Sequence, residues 1–180
     1  MNSNNYIFKA IDAYPYELAE TVESLDYALA YEPENTEALY LMACLHMYDL
    51  EDYSTAIDYC EQIMAIDPYM IKVYSLFINV LTCAEEFQKA QKVLAFAFTV
   101  KGSNHGLLRI MQGRLMERQG LLKPAIAAHK EALKSCTDRF LTCFAQSELD
   151  RVKAKRRLVF KKSKKTEKAK KKKSKKKKKK

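Results

Sequence analysis

The chain has 180 residues, with 32 Lys/Arg, 22 Asp/Glu, five cysteines, and four each of glycine and proline. That length suits one domain of ordinary size plus an appendage, and the formal charge of +10 conceals a segregation: residues 1–150 carry net −9 and residues 151–180 carry net +19. No phosphate-cradling glycine loop, G-x-S-x-G or H-E-x-x-H occurs, and His46, His105 and His129 are widely spaced, so no catalytic residue, metal ligand or cofactor is expected.

At the N-terminus, MNSNNYIFKAIDAY lacks the basic start and apolar run of a secretory leader. No stretch reaches the roughly 20 apolar residues that a membrane-spanning helix needs. Cys44, Cys60, Cys83, Cys136 and Cys143 form no C-x-x-C pair, and most sit among apolar neighbours at helical spacing. They read as small core residues in a reducing compartment. The default location is the cytoplasm; in a nucleus-containing cell the lysine run can also act as an import signal.

Residues 6–32 predict a first helix pair broken at Tyr14-Pro15-Tyr16, with Leu18, Val22, Leu25, Ala28 and Leu29 as the inward stripe of its second helix. Pro33 and Asn35 then end one helix and cap the next, and Glu37 falls in the first turn, where the helix dipole favours an anion. Residues 36–67 form the second pair, turning near Leu50-Glu51-Asp52. Residues 70–101 form the third, turning near Ala84-Glu85-Glu86 and stopped by Gly102-Ser103. Residues 105–135 form the fourth, turning at Gln119-Gly120, with Pro124 in a first turn that tolerates its missing N–H. A last helix from about Asp138 to about Lys161 has an apolar face of Phe140, Leu141, Phe144, Ala145, Leu149 and Val152, replaced beyond Val152 by Lys and Arg. Strand-like alternation is short, so the expected class is all-α.

A beat of 34 to 35 residues links these pairs, clearest in Ala56-x3-Cys60-x2-Ile63-x4-Pro68 and Ala90-x3-Leu94-x2-Ala97-x4-Gly102. Thr21, Leu25, Ala28 and Pro33 repeat it earlier, and Ala125, His129 and Ala132 later. In the first helix of each pair the matching positions are Leu39, Met42-Ala43 and His46, then Tyr74, Phe77-Ile78 and Leu81, then Gln112-Gly113 and Met116. This pattern resembles the tetratricopeptide repeat, a helix-turn-helix unit of 34 residues, over about residues 2–137. Such a period implies stacked helix pairs with no single catalytic centre. The implied fold is a right-handed α-solenoid of about four repeats (2–137), a capping helix (138–160) and a disordered lysine-rich tail (161–180). Trp is absent, and Ile78 stands where the family prefers Gly or Ala, which implies looser packing in the third unit.

The resemblance also implies a concave groove lined by the first helix of each unit, binding a peptide or amphipathic helix of another protein. Projected here, its residues are Tyr6, Tyr14, Tyr40, Cys44, Met47, Tyr48, Lys72, Asn79, Arg114 and Arg118. The first half is aromatic and soft, suited to apolar side chains. The second is more polar and cationic, which suggests a partly acidic ligand. The family variant that grips chaperone C-termini uses two Lys, two Asn and one Arg. Only Lys72 matches it, because Tyr6, Ala10, Leu41 and Leu76 hold the other positions.

The tail KKSKKTEKAKKKKSKKKKKK has no apolar residue beyond one Ala, so ordering it buries nothing that offsets the entropy lost. Lys161, Lys162, Lys164, Lys165, Lys170, Lys171, Lys172 and Lys173 make it a candidate anion-binding element acting by counterion release. Without interleaved aromatics, base stacking is not expected. RNA, DNA or a ribosome, an anionic lipid surface, the chain's own acidic body, and no partner at all remain open for it. The expected function is a small interaction adaptor with a cationic tether. The alternative is a nucleic-acid- or ribosome-associated protein bound mainly through the tail.

Overall fold

The computed structural model describes residues 3–177, with side chains as far as Phe160. The eight tail lysines assigned to anion binding therefore lie outside the described side chains. All regular structure among the described residues is helical: α1 (Ser3–Ala13), α2 (Leu18–Tyr31), α3 (Thr36–Tyr48), α4 (Tyr53–Ile66), α5 (Ile71–Cys83), α6 (Phe87–Thr99), α7 (His105–Arg118), α8 (Leu122–Ser135) and α9 (Arg139–Lys177). The chain divides into two compact units, Met1–Asn104 and His105–Lys180, so the fourth helix pair groups with α9.

Local chemistry sets the boundaries. Asn35 caps α3 by accepting from the backbone N–H groups of Glu37 (3.1 Å) and Ala38 (3.0 Å), and Asp52 caps α4 through Thr55 N–H at 3.2 Å. Each cap satisfies donors that the first helical turn leaves unpaired. The turns within the second, third and fourth pairs each reverse through one left-handed residue: Glu51 (φ 52°), Glu85 (φ 63°) and Gly120 (φ 78°). The sequence beat is thus repeated in the backbone, and only the turn of the fourth pair uses glycine, the residue that adopts this conformation without steric cost.

In the first unit, Ile7, Ala10, Leu25, Ala28, Ala38 and Met42 form a buried cluster against which Tyr6, Leu29, Leu41 and Tyr59 pack. Ala56, Ala90 and Ala97 are fully buried, as is Ile78 on α5. α5 and α6 touch less extensively than α1 with α2, α3 with α4, or α7 with α8. A β-branched side chain at the close-approach position holds two helices further apart than Ala or Gly does. In the second unit the equivalent residue is Gly113. A Cβ placed there would lie 2.4 Å from Cε1 of His129, which is itself 0% exposed.

α9 packs on α8 and α7 through Leu141, Ala145, Leu149 and Val152, all buried. Its backbone stays helical to Lys177, through much of the segment whose composition predicts disorder. Lysine is a good helix former and an existing helix needs no new nucleus, whereas like charges at i, i+4 oppose extension. Cys60 is buried and Cys44, Cys83 and Cys136 are half-buried, but Cys143 is exposed on the outer side of α9 rather than in the core.

Candidate functional site

The first three helices enclose an open cavity of about 340 Å³. α1 and the residue after it contribute Ala10, Ile11 and Tyr14, α2 contributes Thr21 and Leu25, and α3 contributes Leu41, Cys44, Leu45 and Tyr48. Its floor is apolar because Leu25, Leu45 and Ala10 are buried stripe residues of their helices. The Thr21 hydroxyl donates to the carbonyl of Glu17 (3.0 Å), so it adds no unsatisfied donor to the wall. Ile11, Tyr14 and Tyr48 are exposed and form the mouth. The Tyr14 hydroxyl donates to Asp49 Oδ2 at 3.2 Å, which sets a carboxylate on the rim. Burial, followed by the Asp49 carboxylate, raises the Tyr14 pKa, so this phenol stays a neutral donor.

Cys44 sits on the wall as a neutral thiol. Burial pushes its pKa up, against the lowering influence of the Tyr40 hydrogen bond and of Lys72. Tyr40 is raised as well, first by burial and then by Cys44. Neither has the depressed pKa that activates a nucleophile.

Of the projected groove residues, the structure brings Tyr14, Cys44 and Tyr48 together around this cavity. Tyr40 stands beside it in a chain of contacts: Lys72 Nζ lies 4.5 Å from its ring centroid and also pairs with Glu37. Tyr6 is half-buried and stacks on Tyr27 with ring centroids 5.6 Å apart. Met47 is only 7% exposed and serves the packing of α3 rather than an open surface. Asn79 is half-buried on α5. Arg114 and Arg118 belong to the second unit. There Arg114 is occupied: its Nε donates to Glu148 Oε2 at 3.0 Å and its guanidinium lies 4.9 Å from the Phe144 ring centroid. Ile11, Leu41 and Leu45 line the cavity without having been projected. Leu41 and Leu45 lie on the α3 face that carries Tyr48, so a wider reading of that face finds them; Ile11 stands 34 residues before Leu45, at the equivalent place in the first unit, and the same widening finds it.

A polar cluster in the second unit escaped the sequence reading. Glu117 and Glu148 are 6% and 7% exposed. Arg151 bridges them, donating to Glu117 Oε1 (2.9 Å) and Glu148 Oε2 (3.0 Å), while Lys155 reaches Glu117 at 2.8 Å. Burial would raise the Glu148 pKa, but hydrogen bonds from Arg151 and Arg114 outweigh it and hold that pKa at about 2. The donors come 34 and 38 residues from the carboxylate of Glu117, about one repeat away, so only the packing of α9 on α7 reveals the cluster. All its charges are paired, which marks it as structural. No group of three or more His, Cys, Asp or Glu among the described residues is placed to hold a metal ion. No helix among them is long and apolar enough to cross a membrane.

Antiparallel helix pairs in 34-to-35-residue register, with small buried residues such as Ala56, Ala90 and Gly113 at most close approaches, define a tetratricopeptide-repeat-like fold. Solved structures agree. The thermophilic TPR protein TTC0263 of Thermus thermophilus superposes with a TM-score of 0.66 at 18% identity, over 83% of this chain and 80% of that one. MamA protein gives 0.65 at 16% identity, over 92% and 94%. The O-GlcNAc transferase of Thermobaculum terrenum gives 0.63 at 17% identity over 73% of this chain, which spans 26% of that enzyme. No sequence-family model matches the chain, and no curated protein is similar to it in sequence.

Proposed function

We propose that this protein is a non-catalytic interaction adaptor whose first unit holds a peptide or helix of another protein, and whose basic C-terminus tethers it to an anionic partner. The observation that carries the first part is the apolar cavity between α1, α2 and α3, with Tyr14 and Tyr48 at its mouth. Tyrosines at a rim offer large contact area at small cost in rotamer entropy, which suits them to gripping one inserted side chain. Asp49 on the rim, and a net charge of −11 over residues 1–104, favour a basic residue beside that anchor. The partly acidic ligand suggested by the sequence loses its support, because Arg114 is occupied by Glu148 and Lys72 by Glu37.

A displayed peptide library panned against the full chain tests the reading. The expected enriched peptides carry one large apolar residue next to Lys or Arg, and their affinity falls by about tenfold or more in the Tyr14→Ala, Tyr48→Ala double variant. Enrichment of acidic peptides, or binding indifferent to both tyrosines, would sink it.

A further inference from the structure

The apolar stripe of α9 runs past the helices that cover it. Leu149 and Val152 are 4% and 0% exposed, whereas Val159, two helical turns further along the same stripe, is 51% exposed. Its neighbours Leu158 and Phe160 are 62% and 49% exposed. Beside them is a cleft of about 310 Å³ with an apolar floor of Ile126 and Phe160, edged by Lys153, Arg156 and Arg157. Arg156 lies 5.4 Å from the Phe160 ring centroid, its Nε is buried without a hydrogen-bond partner, and it has no carboxylate partner among the described residues. Immediately after Phe160 come 15 lysines in 20 residues.

We propose that this end of α9 is a docking element for an anionic lipid surface, with Leu158 and Val159 entering the apolar boundary, Arg156 and Arg157 meeting headgroup phosphates, and the positive charge of the sequence that follows adding long-range attraction. The proposal rests on reading the C-terminus as an anion-binding tether and assigns its partner. Apolar side chains beside a basic run bind an anionic bilayer by adding area burial to electrostatic attraction, and two weak signals together give a stable anchor. Nucleic acid uses the positive charge equally well but leaves Leu158 and Val159 in water, since branched aliphatic side chains do not stack on bases. A second copy of the same basic end is repelled. No membrane-spanning segment is invoked.

The test is co-sedimentation of the full chain with vesicles of phosphatidylcholine alone, and of phosphatidylcholine mixed with phosphatidylserine, beside a poly(U) RNA binding assay. The chain is expected to bind only the phosphatidylserine-containing vesicles. The variant Leu158→Ser, Val159→Ser, which spares the Arg156–Phe160 contact and leaves the buried stripe intact, should bind them about tenfold more weakly. Its RNA affinity should stay within about twofold of wild type, since phosphate contacts are unchanged. Equal vesicle binding by wild type and variant overturns the insertion. Binding to RNA without binding to vesicles overturns the lipid assignment but leaves the tether standing; binding to neither overturns both.

Discussion

At the scale of single residues, the second unit turns on the pairing of Gly113 with His129. The missing side chain on α7 makes room for a large one on α8, and a methyl group at 113 would fall within 2.8 Å of three imidazole atoms. Gly113→Ala should therefore lower stability by about 1–3 kcal/mol, read as a shift in the thermal melt, despite the better helix propensity of alanine. Combining it with His129→Ala, which removes the ring, should recover part of that loss and so separate overpacking from a backbone effect. His129 also couples folding to pH. Burial lowers its pKa below the ordinary 6.5, so the unfolded chain takes up a proton before the folded one does. Stability should be fully present above pH 6.5 and decline as pH falls from there toward the depressed folded value. Of the charged groups around the ring, Glu117, Glu148, Arg114 and Arg151, hydrogen bonds from Arg151 outweigh burial to hold the two carboxylates below their ordinary range, and those same bonds hold Arg151 above its own, so these three do not titrate in this window. A melt series from about pH 7.5 to about pH 5 checks this, and His129→Leu should flatten the slope; an unchanged slope in that variant would assign it elsewhere. The residue type at 129 was legible as part of the repeat. Its partner was not, because Gly113 alone marks only a close approach and not what approaches.

At the scale of elements, the α9 helix is held to α7 by more than its apolar face. Two carboxylates lie almost wholly inside the interface, and each has at least two cationic donors. Replacing Arg151 by Met leaves Glu117 with Lys155 and Glu148 with Arg114. Because Arg151 is half exposed and its partners are not, the loss should be moderate, about 1–2 kcal/mol in a denaturant titration. A neutral result would mean that the remaining two cations suffice. The positions of the elements were readable: caps such as Asn35, breakers such as Pro33 and Pro68, and the 3.6-residue stripes act locally and leave their mark in the sequence. The far end of α9 was less so. Good helix propensity and mutual charge repulsion oppose one another there, and composition alone does not weigh them.

At the scale of the whole molecule, charge and surface are divided between the two units. The first carries net −11 and the second net +21, with acidic residues spread over the helix pairs and basic ones concentrated after residue 150. An acidic unit with an apolar cavity and a basic one with an exposed apolar edge present chemically opposite surfaces, which favours unlike partners for the two units. The sequence projected one continuous row of groove residues along four repeats. The structure distributes that row differently: three of its members share a cavity, Met47 is packed inside, and Arg114 is spent on Glu148.

The sequence by itself determined the all-helical class, the repeat period, the helix boundaries and the isolation of the lysine run. Each depends on chemistry within a turn or two of the chain, or on a period that the chain repeats openly. Only the tertiary structure decided which side chains remain available. Availability depends on what lies opposite in space, as with His129 over Gly113, Glu148 on Arg114, and the absence of a covering helix beneath Val159 among the described residues. Those partners are separated by intervals of up to a repeat length, and a single sequence carries no sign of which of them meet.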